Sequence, residues 1–158
     1  LRDHLTGLYN YKYLQEALAQ ELNRSKRYLS NLSLLFIDID DFKQVNDSLG
    51  HECGNKILCD VSKDITSTIR KTDMAFRYGG DEFVIMLLQC NQQEATLIAE
   101  RIRIIVAQKA YFVAQRHVYL TVSIGVSSTS GDRLLERADK CMYMSKKEGK
   151  NKVTCLIN

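Results

Sequence analysis

Two pairs of carboxylates stand where metal chemistry could use them. Asp38 and Asp40 close an apolar run, Leu32 to Ile39, while Asp81 and Glu82 follow two glycines in Arg77-Tyr78-Gly79-Gly80-Asp81-Glu82-Phe83. Alternate residues of a strand share a face, so Asp38 and Asp40 point the same way. The glycine stretch lies between Met74-Ala75-Phe76 and the apolar run Phe83 to Leu88, and reads as a β-hairpin tip. Gly-Gly permits positive φ there and leaves bare backbone for a bulky anion. If the two strands are neighbours, Asp38 and Asp81 converge on one or two Mg²⁺ ions, which take hard oxygen ligands while also holding substrate phosphates. A helix opens just past Asp40, so the amides near Phe42 and Lys43 can cradle phosphate, with Lys43 adding charge. Together these features point to metal-assisted phosphoryl or nucleotidyl transfer. Taken singly they have plainer readings: Asp40 and Asp41 as helix caps, and Asp81-Glu82 as a solvated acidic turn.

The elements that must position these groups follow from periodicity. An amphipathic helix is expected from about Tyr11 to Tyr28, with Leu14, Leu18 and Leu22 at fourfold spacing. Leu32 to Ile39 is a buried strand, and a short helix from Asp41 to Leu49 is closed by Gly50. A longer helix runs from His51 to about Ile69. After the hairpin, Asn91-Gln92-Gln93-Glu94 has the form of a capping box opening a helix to about Lys109. Val118 to Ser127 is a strand, Asp132 to Glu148 a helix, and Lys152 to Ile157 a last strand. Helices interleave with strands that include an antiparallel hairpin, so the expected fold is an α+β sandwich with one central mixed sheet of about five strands.

The 158 residues, 45% hydrophobic and 26% charged, suit one globular domain spanning 1–158. No apolar run is long enough to cross a bilayer. Five scattered cysteines with no Cys-x-x-Cys argue for reduced thiols rather than a disulfide frame or zinc site. A cytoplasmic location is expected, with membrane anchoring of a parent protein left open. The net charge of +3 lacks the dense basic face of a nucleic-acid binder.

The sequence resembles the GGDEF family, the diguanylate cyclases. Gly79-Gly80-Asp81-Glu82-Phe83 is the family signature, and the flanking motifs fall in order: Asp3-x-Leu5-Thr6-Gly7-Leu8-x-Asn10, Asp38-Ile39-Asp40-x-Phe42-Lys43-x-x-Asn46-Asp47, and Gly50-His51-x-x-Gly54. Ser123-Ile124-Gly125-Val126 and Ala138-Asp139-x-x-Met142-Tyr143-x-x-Lys146-x-x-Gly149-x-Asn151 follow the signature. The resemblance implies a polymerase-palm-like, ferredoxin-like-derived fold that condenses two GTP into cyclic di-GMP with loss of two pyrophosphates. Each domain of a homodimer would hold one GTP. By motif position, Asp38, the Ile39 carbonyl and Asp81 would bind Mg²⁺ (or Mn²⁺), and Asp81 with Glu82 would activate the 3′-OH. Phe42, Lys43, Lys146 and Lys150 would serve the phosphates beside Gly79 and Gly80. Asn46 would contact base and ribose.

Arg70-Lys71-Thr72-Asp73 has the Arg-x-x-Asp form of the family's product-inhibition site, with Arg101 as a looser secondary contact. The plainer reading is a surface i,i+3 ion pair. Three departures from the family pattern stand out. Asn55 occupies the place of the Asp that reads guanine; an amide is complementary to adenine, so relaxed purine choice, with ATP admitted and cyclic GMP–AMP formed, stands beside weakened GTP binding. Lys150 replaces an Arg and loses its bidentate fork. Tyr11-Lys12 replaces Arg-Arg.

Against the cyclase stand a silent cyclic di-GMP receptor using Arg70 and Asp73, and a structural dimerisation module. The retained acids Asp38, Asp81 and Glu82 favour the enzyme. The abrupt start at the opening motif suggests an output domain cut from a longer protein with an N-terminal sensor.

Overall fold

The computed structural model describes residues 1–129 and 131–156. Asn10 opens helix α1 (Tyr11–Tyr28), its side chain accepting from the Tyr13 N–H at 2.9 Å. Strand β1 (Leu32–Ile39), helix α2 (Phe42–Leu49) and helix α3 (His51–Thr68) follow. The hairpin comprises β2 (Met74–Arg77) and β3 (Glu82–Leu88). Helix α4 (Gln92–Gln108) carries the expected capping box, in which Asn91 and Glu94 each bond the other's main-chain N–H. Then come β4 (Tyr111–Val113), β5 (Arg116–Val118), β6 (Val122–Ser128), helix α5 (Leu134–Lys147) and β7 (Val153–Cys155).

The main sheet has the order β2-β3-β1-β6-β7, antiparallel except for the β6–β7 pair, and is therefore mixed as expected. Its centre, β1, is buried on both faces, which is why it reads as an unbroken apolar run. Leu35, Ile37 and Ile39 join the core beneath α3 and α4, while Leu34 and Phe36 join Leu14 of α1 and Met142 of α5 on the other face. Gly125 lets α5 lie directly on β6, since a Cβ there would stand 2.0 Å from the Ala138 carbonyl and 2.2 Å from the Met142 nitrogen. That close approach brings Lys146 over the end of β1.

Three boundaries differ from expectation. Residues 111–118 form a separate two-stranded hairpin, and the strand expected from Val118 begins only at Val122. Its turn residues Ala114 and Gln115 both have positive φ, 52° and 59°, without the Gly or Asn that normally announces such a turn. Helix α5 starts at Leu134 rather than Asp132, after Arg133 at φ 56°. The last strand is the short Val153–Cys155, and Ile157, its expected end, lies outside the described residues.

Candidate active site

Pairing of β1 with β3 sets Asp38 opposite Glu82, and the Ile39 N–H donates to the Asp81 carbonyl at 3.2 Å. Asp38, Asp81 and Glu82 therefore crowd one end of the two central strands. Burial, partly offset by Lys146 and reinforced by the charges of Asp81 and Glu82, holds the Asp38 carboxyl well above the usual range. Burial and the charges of Asp81 and Asp139 raise Glu82 too. Asp38 Oδ1 is buried with no hydrogen-bond partner. A buried carboxylate oxygen with no hydrogen bond, and with only the Lys146 ammonium at 3.6 Å to set against the charges of Asp81 and Glu82, suits a hard divalent cation. Among the described residues no three His, Cys, Asp or Glu side chains are grouped to hold an ion alone. Oxygens from main chain or ligand phosphates would complete a Mg²⁺ shell, as that ion commonly requires.

Asp40 and Asp41 do not cap α2, contrary to the plainer expectation. Asp40 is buried and accepts from the hydroxyls of Thr121 and Ser123 at 2.6 and 2.7 Å, from the Asn151 N–H at 3.0 Å and from Lys146 Nζ at 2.7 Å. Burial alone would raise its carboxyl, but the bonds from Lys146, Thr121 and Ser123 outweigh it and hold the carboxyl below the usual range. Asp41, at φ 56°, makes no cap bond and instead accepts from Lys150 Nζ at 2.6 Å. Lys146 Nζ also donates to the Ile39 carbonyl at 3.2 Å and stands 3.6 Å from Asp38 Oδ1, too far for a hydrogen bond. Its charge thus sits beneath the carboxylates, tethered by Asp40.

The hairpin tip is built differently from the sequence reading. Neither Gly79 nor Gly80 has positive φ. A Cβ on Gly79 would meet only the end of the Glu82 side chain, Oε1 at 2.9 Å, which can swing aside, and Gly80 faces open space. Arg77 supplies the shape: its guanidinium donates to the carbonyls of Gly79 and Gly80 at 3.1 and 2.9 Å and to Asp3 at 3.2 Å. Sequence reasoning passed over Arg77 as a site residue, although its place just before the glycines was a signal.

Phe42, Lys43, Asn46, Asn55, Arg77, Gly80 and Asp81 are among the residues that line one cavity of about 330 Å³. Five of the eight expected substrate residues thus share that lining, whereas Gly79, Lys146 and Lys150 do not. A larger cavity of about 540 Å³ lies behind α2 against β5 and contains none of Asp38, Asp81 and Glu82.

Arg70 and Arg101 line a separate cavity of about 300 Å³ beside Glu94. Asp73 does not reach it. Its carboxylate accepts from the Arg70 N–H and guanidinium at 2.9 Å and from the Leu88 N–H at 3.2 Å. Any ligand N–H there must share these oxygens.

The family model described as "Diguanylate cyclase, GGDEF domain" matches residues 1–152. The chain is similar to Diguanylate cyclase A of Treponema denticola, 42% identical over 95% of this chain and 42% of that protein. It is 38% identical to Diguanylate cyclase DosC of Escherichia coli, over 96% of this chain and 34% of that one. The solved GGDEF domain of DgcB from Caulobacter crescentus, in complex with c-di-GMP, superposes with a TM-score of 0.92 at 30% identity, covering 98% of this chain and 94% of that one. The chain spans less than half the length of the two curated relatives.

Proposed function

We propose, on the premise that this chain belongs to the GGDEF domain family of the diguanylate cyclases, that it condenses two GTP into cyclic di-GMP and releases two pyrophosphates. The observation that carries this reading is the crowding of Asp38, Asp81 and Glu82 at the paired ends of β1 and β3, with Asp38 Oδ1 buried and without a hydrogen bond and Asp81 on the lining of a cavity of about 330 Å³. Asp38, the Ile39 carbonyl and Asp81 would hold Mg²⁺ or Mn²⁺. When bound there, the metal lowers the pKa of the 3′-hydroxyl and neutralises charge growing on the α-phosphate.

The remaining work falls to the chain's own residues. The amides at Phe42 and Lys43 hold the phosphates beside the hairpin tip. Lys146 and Lys150, held by Asp40 and Asp41, lend positive charge at the end of β1, and Asn46 and Asn55 face base and ribose. In each of two steps, a 3′-oxygen bonds to the α-phosphorus of the GTP on a second copy. The bond from that phosphorus to the pyrophosphate breaks, and the hydroxyl proton passes to the carboxylates of Asp81 and Glu82. A homodimer is therefore the working unit. Product bound at Arg70 and Arg101, with Asp73 behind them, restrains it. We read residues 1–158 as one such domain of a cytoplasmic protein; no helix among the described residues is long and apolar enough to cross a membrane. An N-terminal sensor in a longer parent protein is part of the same proposal.

One observation favours relaxed purine choice as a second reading. Asn46 and Asn55 both line the cavity, and Asp81, at the phosphate end, is the one carboxylate on its lining. A base there meets amides, which serve guanine and adenine alike.

The test is pyrophosphate release from GTP by Asp38→Asn and Asp81→Asn variants at matched protein concentration. Each is expected to fall about 100-fold or more below the parent. Undiminished release from both would overturn the assignment.

A further inference from the structure

Helix α3 packs its first turns against α2, and Gly54 is buried in that contact. A Cβ on Gly54 would stand 1.9 Å from Asn46 Oδ1, 3.0 Å from Asn46 Cγ and 3.3 Å from Phe42 Cζ. Nothing in the backbone at Gly54 calls for glycine, because its φ is not positive and it lies inside a regular helix. Alanine would be the better helix former there. What glycine supplies is room for one amide oxygen.

That oxygen is itself unusual. Asn46 Oδ1 is buried and has no hydrogen-bond donor. It lies along the Cα–H direction of Gly54, where only a weak C–H···O contact is available. Rotating the amide by half a turn would press its NH₂ group against that same C–H. The seat on Gly54 therefore fixes which end of the amide faces inward. Nδ2 is left towards the cavity that Asn46 shares with Lys43, Asn55 and Asp81.

We propose that Gly54 is a positioning residue for nucleotide recognition. By lacking a Cβ it seats Asn46 with its oxygen inward and its two N–H donors presented to an acceptor on the base or ribose of a purine nucleoside triphosphate. Any side chain at position 54 expels the amide and removes that donor. The inference rests on the nucleotide-site reading above and adds to it the orientation of Asn46 and the residue that sets it.

Four proteins test it: the parent chain, Asn46→Ala, Gly54→Ala and the double variant. Each is measured for Kd of α,β-methylene-GTP with Mg²⁺, for KM and kcat with GTP, and for Tm. Gly54→Ala and Asn46→Ala are each expected to weaken analogue binding about tenfold, the loss of one ligand hydrogen bond. KM should carry the change while kcat stays near the parent, because the contact lies away from the reacting phosphorus. The double variant should bind as Asn46→Ala alone does, with a Tm close to it, since the alanine methyl then meets only Phe42 Cζ at 3.3 Å. A Gly54→Ala loss that persists in full in the Asn46→Ala background overturns the positioning role and leaves the nucleotide site standing. Parent-like affinity in Asn46→Ala removes the Asn46 contact and overturns the positioning role, whereas no analogue binding by the parent chain overturns the nucleotide-site reading itself. Should Gly54→Ala alone fail to fold, the double variant against Asn46→Ala still decides the coupling.

Discussion

Arg77 and Asp3 are 74 residues apart in the chain, and they meet with the Arg77 guanidinium 3.2 Å from both Asp3 oxygens. The same guanidinium holds the carbonyls of Gly79 and Gly80. Asp3 is fixed in turn by the Thr6 N–H and hydroxyl at 2.8 and 2.7 Å. The opening motif is thereby coupled to the hairpin tip that carries Asp81 and Glu82.

Arg77→Ala removes the clamp without emptying the core. Cyclic dinucleotide formation is expected to fall about 10–100-fold, the cost of a loosened tip, with a small change in Tm. Arg77→Lys should rescue little, because an ammonium cannot fork between Asp3 and two carbonyls. Steady-state kinetics beside a melting curve check both.

Burial pulls the Asp3 carboxyl upward, but hydrogen bonds from Thr6 and the Arg77 charge outweigh it, so its folded pKa lies below the ordinary value. A depressed carboxylate stabilises the fold above its unfolded pKa, near 3.9, and that contribution is lost as pH falls through the folded value. Asp3→Asn should therefore lie below the parent at pH 7 by no more than about 1 kcal/mol, given the partial exposure of the pair. The two stability curves should converge as pH falls through the folded pKa of Asp3, as urea unfolding across pH will reveal.

Asp40 is a packing group and the tether of Lys146, not a helix cap. Asp40→Ala strands the Thr121 and Ser123 hydroxyls and the Asn151 N–H, and leaves the Lys146 ammonium without its closest partner. We expect a loss of about 3 kcal/mol, a fall of roughly 6–12 °C in Tm. Scanning calorimetry is the check, and a drop under 2 °C would contradict the account.

Asn55 is expected to set base choice. Asn55→Asp restores a carboxylate that accepts from both guanine N–H groups, so competition between GTP and ATP should shift towards GTP by about 10–100-fold. An unchanged ratio would show that position 55 does not read the base.

Much of this fold was legible because the deciding interactions are local. The Asn10 cap, the Asn91–Glu94 capping box and the double-sided burial of β1 each appear within a few consecutive residues. The acid-bearing ends of β1 and β3 were legible too, and their pairing required only that the strands be neighbours. What stayed hidden depends on distant partners. Asp40 finds Thr121 81 residues away and Asn151 111 away, so no local pattern separates a buried acceptor from a helix cap. Neither tip glycine uses the positive φ that a Gly-Gly pair announces, and the tip takes its shape from Arg77, a contact no spacing reveals. Tyr11, unexplained in sequence, packs edge-on against Tyr78 with ring centroids 5.1 Å apart. The Ala114–Gln115 turn lacks the residues that mark such turns and was therefore missed.

The most direct measurement is product analysis by chromatography and mass spectrometry, with Mg²⁺ and GTP alone, ATP alone and an equal mixture, at high protein concentration. The account predicts cyclic di-GMP and pyrophosphate from GTP, with some cyclic GMP–AMP from the mixture. Nucleotide bound but no cyclic dinucleotide in any of the three would contradict it and leave a binding protein in its place.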